Sequence, residues 1–336
     1  MNERVYKEII EILPRKIREL LKAIMISNSN CGNLIEVRLR VNKPLICIYE
    51  SGEYLISERG KNVGEKTNKV VNNVNNLGYG NESLYIVKES DIKELLQYIS
   101  NYSIYAYERE IRQGYLTIKG GHRIGVAGKV ITEGDRIKSM AYITYVNIRI
   151  AHEIIGCSNN LIKKIYNEEK NRLYNTVIIS PPCCGKTTLL RDLVRNISDG
   201  RYFKPLNVGL VDERSEIAAC YKGVAQNNIG IRTDVLDCCD KVHGMYMLLR
   251  SMSPKVIAVD EIGGENDLKA LRTCVSSGCD LIATAHGENI SEAKEKNRFL
   301  KEILDSGIFD RYIILNNKKG VGNIETVLDI GGNIVV

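Results

Sequence analysis

Thr176-Val-Ile-Ile179 runs into Ser180-Pro181-Pro182-Cys183-Cys184-Gly185-Lys186-Thr187-Thr188 and then into Leu189-Leu-Arg-Asp-Leu-Val-Arg195. The pattern predicts an apolar strand, a short loop and a helix, in that order. The first amides of such a helix have no partner inside it and, with the helix dipole, favour an anion at the helix N-terminus. Lys186 adds a mobile cation, and the Thr187 hydroxyl is suited to complete the shell of a Mg²⁺. The nine residues Ser180, Pro181, Pro182, Cys183, Cys184, Gly185, Lys186, Thr187 and Thr188 are therefore the predicted cradle for the phosphates of ATP. Ser180 stands where the strict pattern has Gly, which tolerates φ > 0, while Pro181 and Pro182 fix their own φ. That substitution puts the geometry of loop entry in question, not the phosphate grip.

A second signal lies 74 residues beyond Lys186, in Lys255-Val-Ile-Ala-Val-Asp260-Glu261. It reads as a buried strand ending in two carboxylates. Phosphoryl transfer needs positioning and charge stabilisation more than covalent help, so the two acids divide the work. Asp260 is expected to hold Mg²⁺ through water and Glu261 to orient and polarise the attacking water. The bland alternative for this stretch alone is a strand followed by a solvated acidic turn; the two motifs in this order favour ATP hydrolysis.

Composition narrows the field. At 336 residues the chain has room for two domains with their own cores. No run approaches the about 18 apolar residues of a membrane span, and the start, Met1-Asn-Glu-Arg-Val-Tyr-Lys7, lacks a signal-peptide core, so a cytoplasmic protein is expected. Ten Cys are scattered without C-x-x-C pairs, which predicts reduced thiols and neither a structural metal nor a disulfide. The net charge of +6 belongs to residues 1–150, with 23 Lys+Arg against 17 Asp+Glu; the remainder has 24 of each. Within residues 111–132, Arg112, Lys119, Arg123 and Lys129 occur with no acid. Such a stretch can meet nucleic acid, an acidic partner or a neighbour's nucleotide, or be a solvated hairpin.

Along the chain, residues 3–25 read as amphipathic helix interrupted at Pro14, and period-two alternation from Ile35 to Val41 opens a run of short strands. An Asn-rich insert near 61–82 suits a surface loop. Helices are expected from Asp91 and over 103–113, then strands near 115–118, 122–130 and 141–150. The first part, 1–155, is thus a smaller α+β domain. From 156 to 336 strands near 177–180, 207–212, 255–260, 280–284 and 312–316 alternate with helices near 187–197, 240–252, 266–277 and 291–305, which predicts an α/β RecA-like P-loop NTPase domain, a parallel sheet with flanking helices.

Three further stretches carry a resemblance. Val211-Asp212-Glu213-Arg214 ends one strand, Leu248-Leu-Arg-Ser-Met-Ser-Pro-Lys255 leads into the Asp260 strand, and Thr284-Ala-His286-Gly-Glu-Asn289 ends the next. Together they resemble the acidic box, Arg-rich approach and His box of the type II and type IV secretion ATPases. Within that superfamily, Ile35-Glu-Val-Arg-Leu-Arg-Val-Asn-Lys-Pro44, Gly114-Tyr-Leu-Thr-Ile-Lys-Gly-Gly-His-Arg-Ile-Gly125, Asn147-Ile-Arg-Ile150 and Asn228-Ile-Gly-Ile-Arg-Thr-Asp-Val-Leu-Asp237 are most similar to the stage III sporulation AA family of endospore-forming bacteria. The resemblance implies a cytoplasmic hexameric ATPase in the mother cell, at the membrane facing the forespore, working with membrane-embedded channel proteins.

His286, after a strand expected beside the phosphate loop, is a candidate γ-phosphate sensor, with Thr284 a weaker one. Glu213 is a candidate for positioning water or Mg²⁺, with Asp212 beside it, although acidic strand ends are often only solvated. Among Arg149, Arg214, Arg232 and Arg250, one is expected to reach a nucleotide across a subunit interface; a structural salt bridge is the alternative for each. A nucleic-acid-stimulated ATPase is the competing function, disfavoured because one aromatic residue, Tyr115, interleaves the basic stretch.

Overall fold

The computed structural model describes residues 3–27, 33–63, 78–79, 82–100, 108–112, 114–134, 136–318 and 320–335. Most of the Asn-rich insert and residues 103–107 and 113 of the expected 103–113 helix lie outside them. The chain divides into two compact units, Met1–His152 and Glu153–Val336.

The first unit runs α1 (Glu3–Ile12), α2 (Arg15–Ser27), β1 (Leu34–Arg40), β2 (Ile46–Tyr49), β3 (Gly52–Ile56), β4 (Asn62–Val63), β5 (Gly78–Tyr79), β6 (Glu82–Ser83), α3 (Glu89–Ile99), α4 (Glu108–Arg112), β7 (Tyr115–Thr117), β8 (Arg123–Glu133) and β9 (Arg136–Arg149). Pro14 separates α1 from α2, as a residue without an N–H and with a ring that crowds the preceding turn must. An antiparallel sheet has the order β4-β3-β2-β1-β9-β8-β7. Its alternation buries Val37, Leu39, Cys47, Ile124 and Ile148 together with Ile17, Ile92 and Leu95 from the helices. Arg38 and Arg40 alternate with those core residues on β1, so they lie on the other face of the sheet.

The second unit runs through a short 3₁₀ turn (Ile162–Ile165), β10 (Tyr166–Asn167), β11 (Arg172–Leu173), β12 (Thr176–Ser180), α5 (Lys186–Asp199), β13 (Val208–Asp212), β14 (Thr233–Asp237), α6 (Lys241–Ser251), β15 (Val256–Val259), α7 (Asp267–Ser276), β16 (Asp280–His286), α8 (Ile290–Lys296), α9 (Arg298–Asp305), β17 (Arg311–Asn316) and β18 (Asn323–Asp329). The sheet order is β14-β13-β15-β16-β12-β17-β18. Every pairing is parallel except that of β17 with β18. The sheet is therefore mixed where the sequence predicts a parallel one, because the chain returns along β17 by a hairpin instead of a crossover helix. Strands β12, β13 and β15 are buried at every position, as a sheet covered on both faces requires. On one face Ile178, Leu210, Ala258 and Ile282 pack with Leu189, Leu190 and Leu193 of α5. On the other, Ile179, Val211, Ile257 and Ala283 pack with Met245, Leu271, Leu300 and Ile303 of α6, α7 and α9.

The helix expected over 291–305 is two helices. Asn297 has extended backbone, its Oδ1 accepts the Leu300 N–H at 3.0 Å and its Nδ2 donates to Gly263 O at 3.1 Å. It caps a new helix by the ordinary N-cap mechanism, within a sequence whose apolar spacing alone reads as continuous.

Candidate active site

Four strand ends and one helix start build the site. Ser180 is the last residue of β12, fully buried, level with His286 of β16 in the parallel register. Its carbonyl accepts the Gly287 N–H at 3.2 Å, and its hydroxyl donates to Pro181 O at 2.9 Å. Extended strand makes no demand for a glycine there. The left-handed residues of the loop come later, at Cys183 (φ 58°) and Gly185 (φ 85°). A Cβ on Gly185 would lie 3.1 Å from the Gly322 amide nitrogen, and the Gly322 N–H donates to Cys184 O at 2.9 Å. The turn after β17 thus backs the loop, and glycine at 185 is required by both backbone angle and space.

Gly185 is the N-cap of α5 and has no side chain to cap the first amides. Those donors remain for a ligand, and Lys186, Thr187 and Thr188 follow, all half-buried. This donor set fits a polyphosphate.

At the end of β15, Asp260 is buried and Glu261 adopts a left-handed backbone, φ 43°. The positive φ breaks strand alternation at the second acid. Thr284 of β16 holds both residues: its hydroxyl donates to Asp260 Oδ1 at 2.7 Å and accepts the Glu261 N–H at 2.8 Å, while its carbonyl accepts the Ile262 N–H at 2.8 Å. Burial pushes the Asp260 carboxyl above its ordinary range, against the opposing pull of the Thr284 hydroxyl and the Lys186 ammonium. That pull links the loop lysine and the first acid electrostatically, the combination a metal-bound phosphate chain exploits.

At the end of β13, Asp212 is an anchor. Its carboxylate accepts the amides of Glu216, Ile217 and Ala218 at 2.9, 3.0 and 2.8 Å. Arg191 of α5 donates from Nε to Ile217 O and from Nη2 to Glu216 O, each at 2.6 Å. Glu213 pairs with Lys241 of α6 at 2.9 Å. Arg214 Nη1 lies 3.0 Å from Glu261 Oε2. Of the other candidate arginines, Arg232 donates to Ser198 O at 3.1 Å, Arg149 stands 4.0 Å from Glu36 in the first unit, and Arg250 is exposed in the last turn of α6.

Thr284 stands out in the sequence as the lone hydroxyl in the apolar run Leu281 to Ala285, although its part in holding the two acids does not. Arg191 and Lys241 carry no such signal, because their contacts depend on how α5 and α6 pack beside the turn after β13.

One strand, β16, separates the loop strand β12 from the acid strand β15. That order, with a phosphate-type loop on one and paired acids on the other, defines a RecA-like P-loop fold. The Legionella pneumophila ATPase DotB shares it, with a TM-score of 0.52 and 13% identity over 88% of this chain and 74% of that one. The pilus retraction motor PilT with bound ADP gives 0.50 and 13% over 91% and 77%. At such identity the likeness is one of fold.

The chain belongs to the family described as sporulation stage III, protein AA, whose model matches residues 61–335. Stage III sporulation protein AA of Bacillus subtilis (strain 168) is 40% identical to it over 329 residues, 98% of this chain and 96% of that protein.

Proposed function

We propose that the chain is an oligomeric ATPase that hydrolyses ATP to drive assembly of, or transport through, a sporulation channel between mother cell and forespore. The observation that carries the chemistry is the Thr284 hydroxyl holding Asp260 and Glu261 together at the end of β15, one strand away from the β12 loop that leads to Lys186 at the start of α5. The amides at the start of α5 and Lys186 bind the phosphates; Thr187 and, through water, Asp260 are the residues to hold Mg²⁺, which supplies charge neutralisation on the phosphate oxygens. Glu261 orients water and takes its proton. In this reading His286, level with Ser180 in the sheet, reports on the γ-phosphate, and Glu213 orients water once released from Lys241.

In this reading the chain works as a hexameric ring in the mother-cell cytoplasm and acts on membrane-embedded channel proteins; membership of a sporulation family and a fold shared with an ATPase are what favour it. Among the described residues no helix is long and apolar enough to cross a membrane, so membrane attachment falls to partners in this reading.

Phosphate release from Mg-ATP by wild type, Lys186→Ala and Glu261→Gln tests it. Lys186→Ala should lose tight ATP binding. Glu261→Gln should retain bound ATP and turn over about 10²-fold or more slowly. Hydrolysis by Glu261→Gln at the wild-type rate would remove Glu261 from its role. Strong stimulation by single-stranded DNA would replace the channel reading with a nucleic-acid one.

A further inference from the structure

Arg214 touches the side chain that takes the proton in the hydrolytic reading. Its Nη1 lies 3.0 Å from Glu261 Oε2, so a carboxylate oxygen required to accept a proton from water is engaged by a guanidinium of the same chain. Building on the ATPase reading, we propose that Arg214 is a latch: it restrains Glu261 in the resting protein and lets go when the phosphate site fills.

The mount of the latch is firm. Asp212 takes three amides of the turn behind Arg214. Arg191 fixes the same turn from α5 through two carbonyls. Because α5 is the helix whose first amides face the phosphate site, Arg191 ties the turn that carries Arg214 to the element that senses the ligand. The Glu261 backbone is equally fixed, by its N–H bond to Thr284.

The latch itself is weak. The Arg214 and Glu261 side chains are 60% and 37% exposed, and an ion pair so placed contributes little and is screened by salt. Firm supports on both sides and a weak contact between them make the side-chain pair the part that moves. The contact is strong enough to bias Glu261 and too weak to block turnover. An arginine serving only to stabilise the transition state would give the opposite mutational sign, since its loss removes catalysis.

The experiment measures Mg-ATP turnover of the full chain at saturating ATP, with KM, for wild type, Arg214→Gln and Arg214→Lys, each first matched to wild type by circular dichroism. Arg214→Gln should raise basal kcat up to about fivefold, the scale of an exposed ion pair, with KM changed less than about twofold. Arg214→Lys should stay near the wild-type rate. Raising salt should increase kcat of wild type toward that of Arg214→Gln and leave the variant flat, a response that a merely structural arginine lacks. A slower or unchanged Arg214→Gln, with wild type active, overturns the latch and leaves the ATPase standing. A wild type that hydrolyses no Mg-ATP overturns both.

Discussion

A hydroxyl has one proton to give, and Thr284 gives it to Asp260 while its lone pair takes the Glu261 N–H. Valine has the same shape and neither function. Thr284→Val should leave a part-buried amide and a buried carboxylate oxygen short of a partner, costing about 1–3 kcal/mol of stability. It should also free the left-handed Glu261 backbone to relax, so turnover falls far more than ATP affinity. Thr284→Ser keeps the hydroxyl and should retain most of the activity. Urea unfolding and kcat for the two variants check this; equal kcat in Thr284→Val and wild type would show that the acids need no such support. At this scale Lys186, Asp260 and Glu261 are legible in the sequence because each ends or begins an element whose apolar pattern locates it. The service Arg214 performs is not: by sequence it is one of four candidates for a neighbour's nucleotide, and only the fold shows it beside a carboxylate of its own chain.

The turn after β13 is the element on which several of these contacts rest, and its anchor titrates. Burial pushes the Asp212 carboxyl up to about 6 from an ordinary 3.8, although its amide partners pull the other way. A carboxyl whose pKa rises on folding holds its proton more tightly in the folded chain. Its contribution to stability is therefore complete below the unfolded value and lost as pH rises through about 6. Through this group alone, unfolding free energy should fall by about 2 kcal/mol from about pH 4 to about pH 7. Asp212→Asn cannot titrate there and should lack that component. Urea unfolding of both chains across the range measures it, and parallel pH curves would rule it out.

The elements themselves are readable where periodicity and burial agree, as in β12, β13, β15 and β16. They escape a sequence reading where burial comes from pairing instead. β14 has acids at two of its five positions, and β18 is an antiparallel return strand of alternating character at the far edge of the sheet.

The phosphate chain of a bound nucleotide needs compensating positive charge from its site. Lys186 and the α5 amides supply part of it, but Arg214 is turned to Glu261, Arg232 to Ser198 and Arg149 toward Glu36. A phosphoryl-transfer site commonly gains from an arginine delivered by another chain, at about 10³- to 10⁵-fold in rate where that arginine is essential. A second copy of this chain, with its surplus of cations in residues 1–150, is a natural donor. ATP and Mg²⁺ bound between copies would then stabilise the assembly by mass action. The expected outcome is that light scattering shows self-association on adding Mg-ATP, that turnover per chain rises with protein concentration, and that dilution to monomer brings it down with the same midpoint. Turnover per chain that stays constant through the dilution at which the monomer appears would show that each chain completes its site alone.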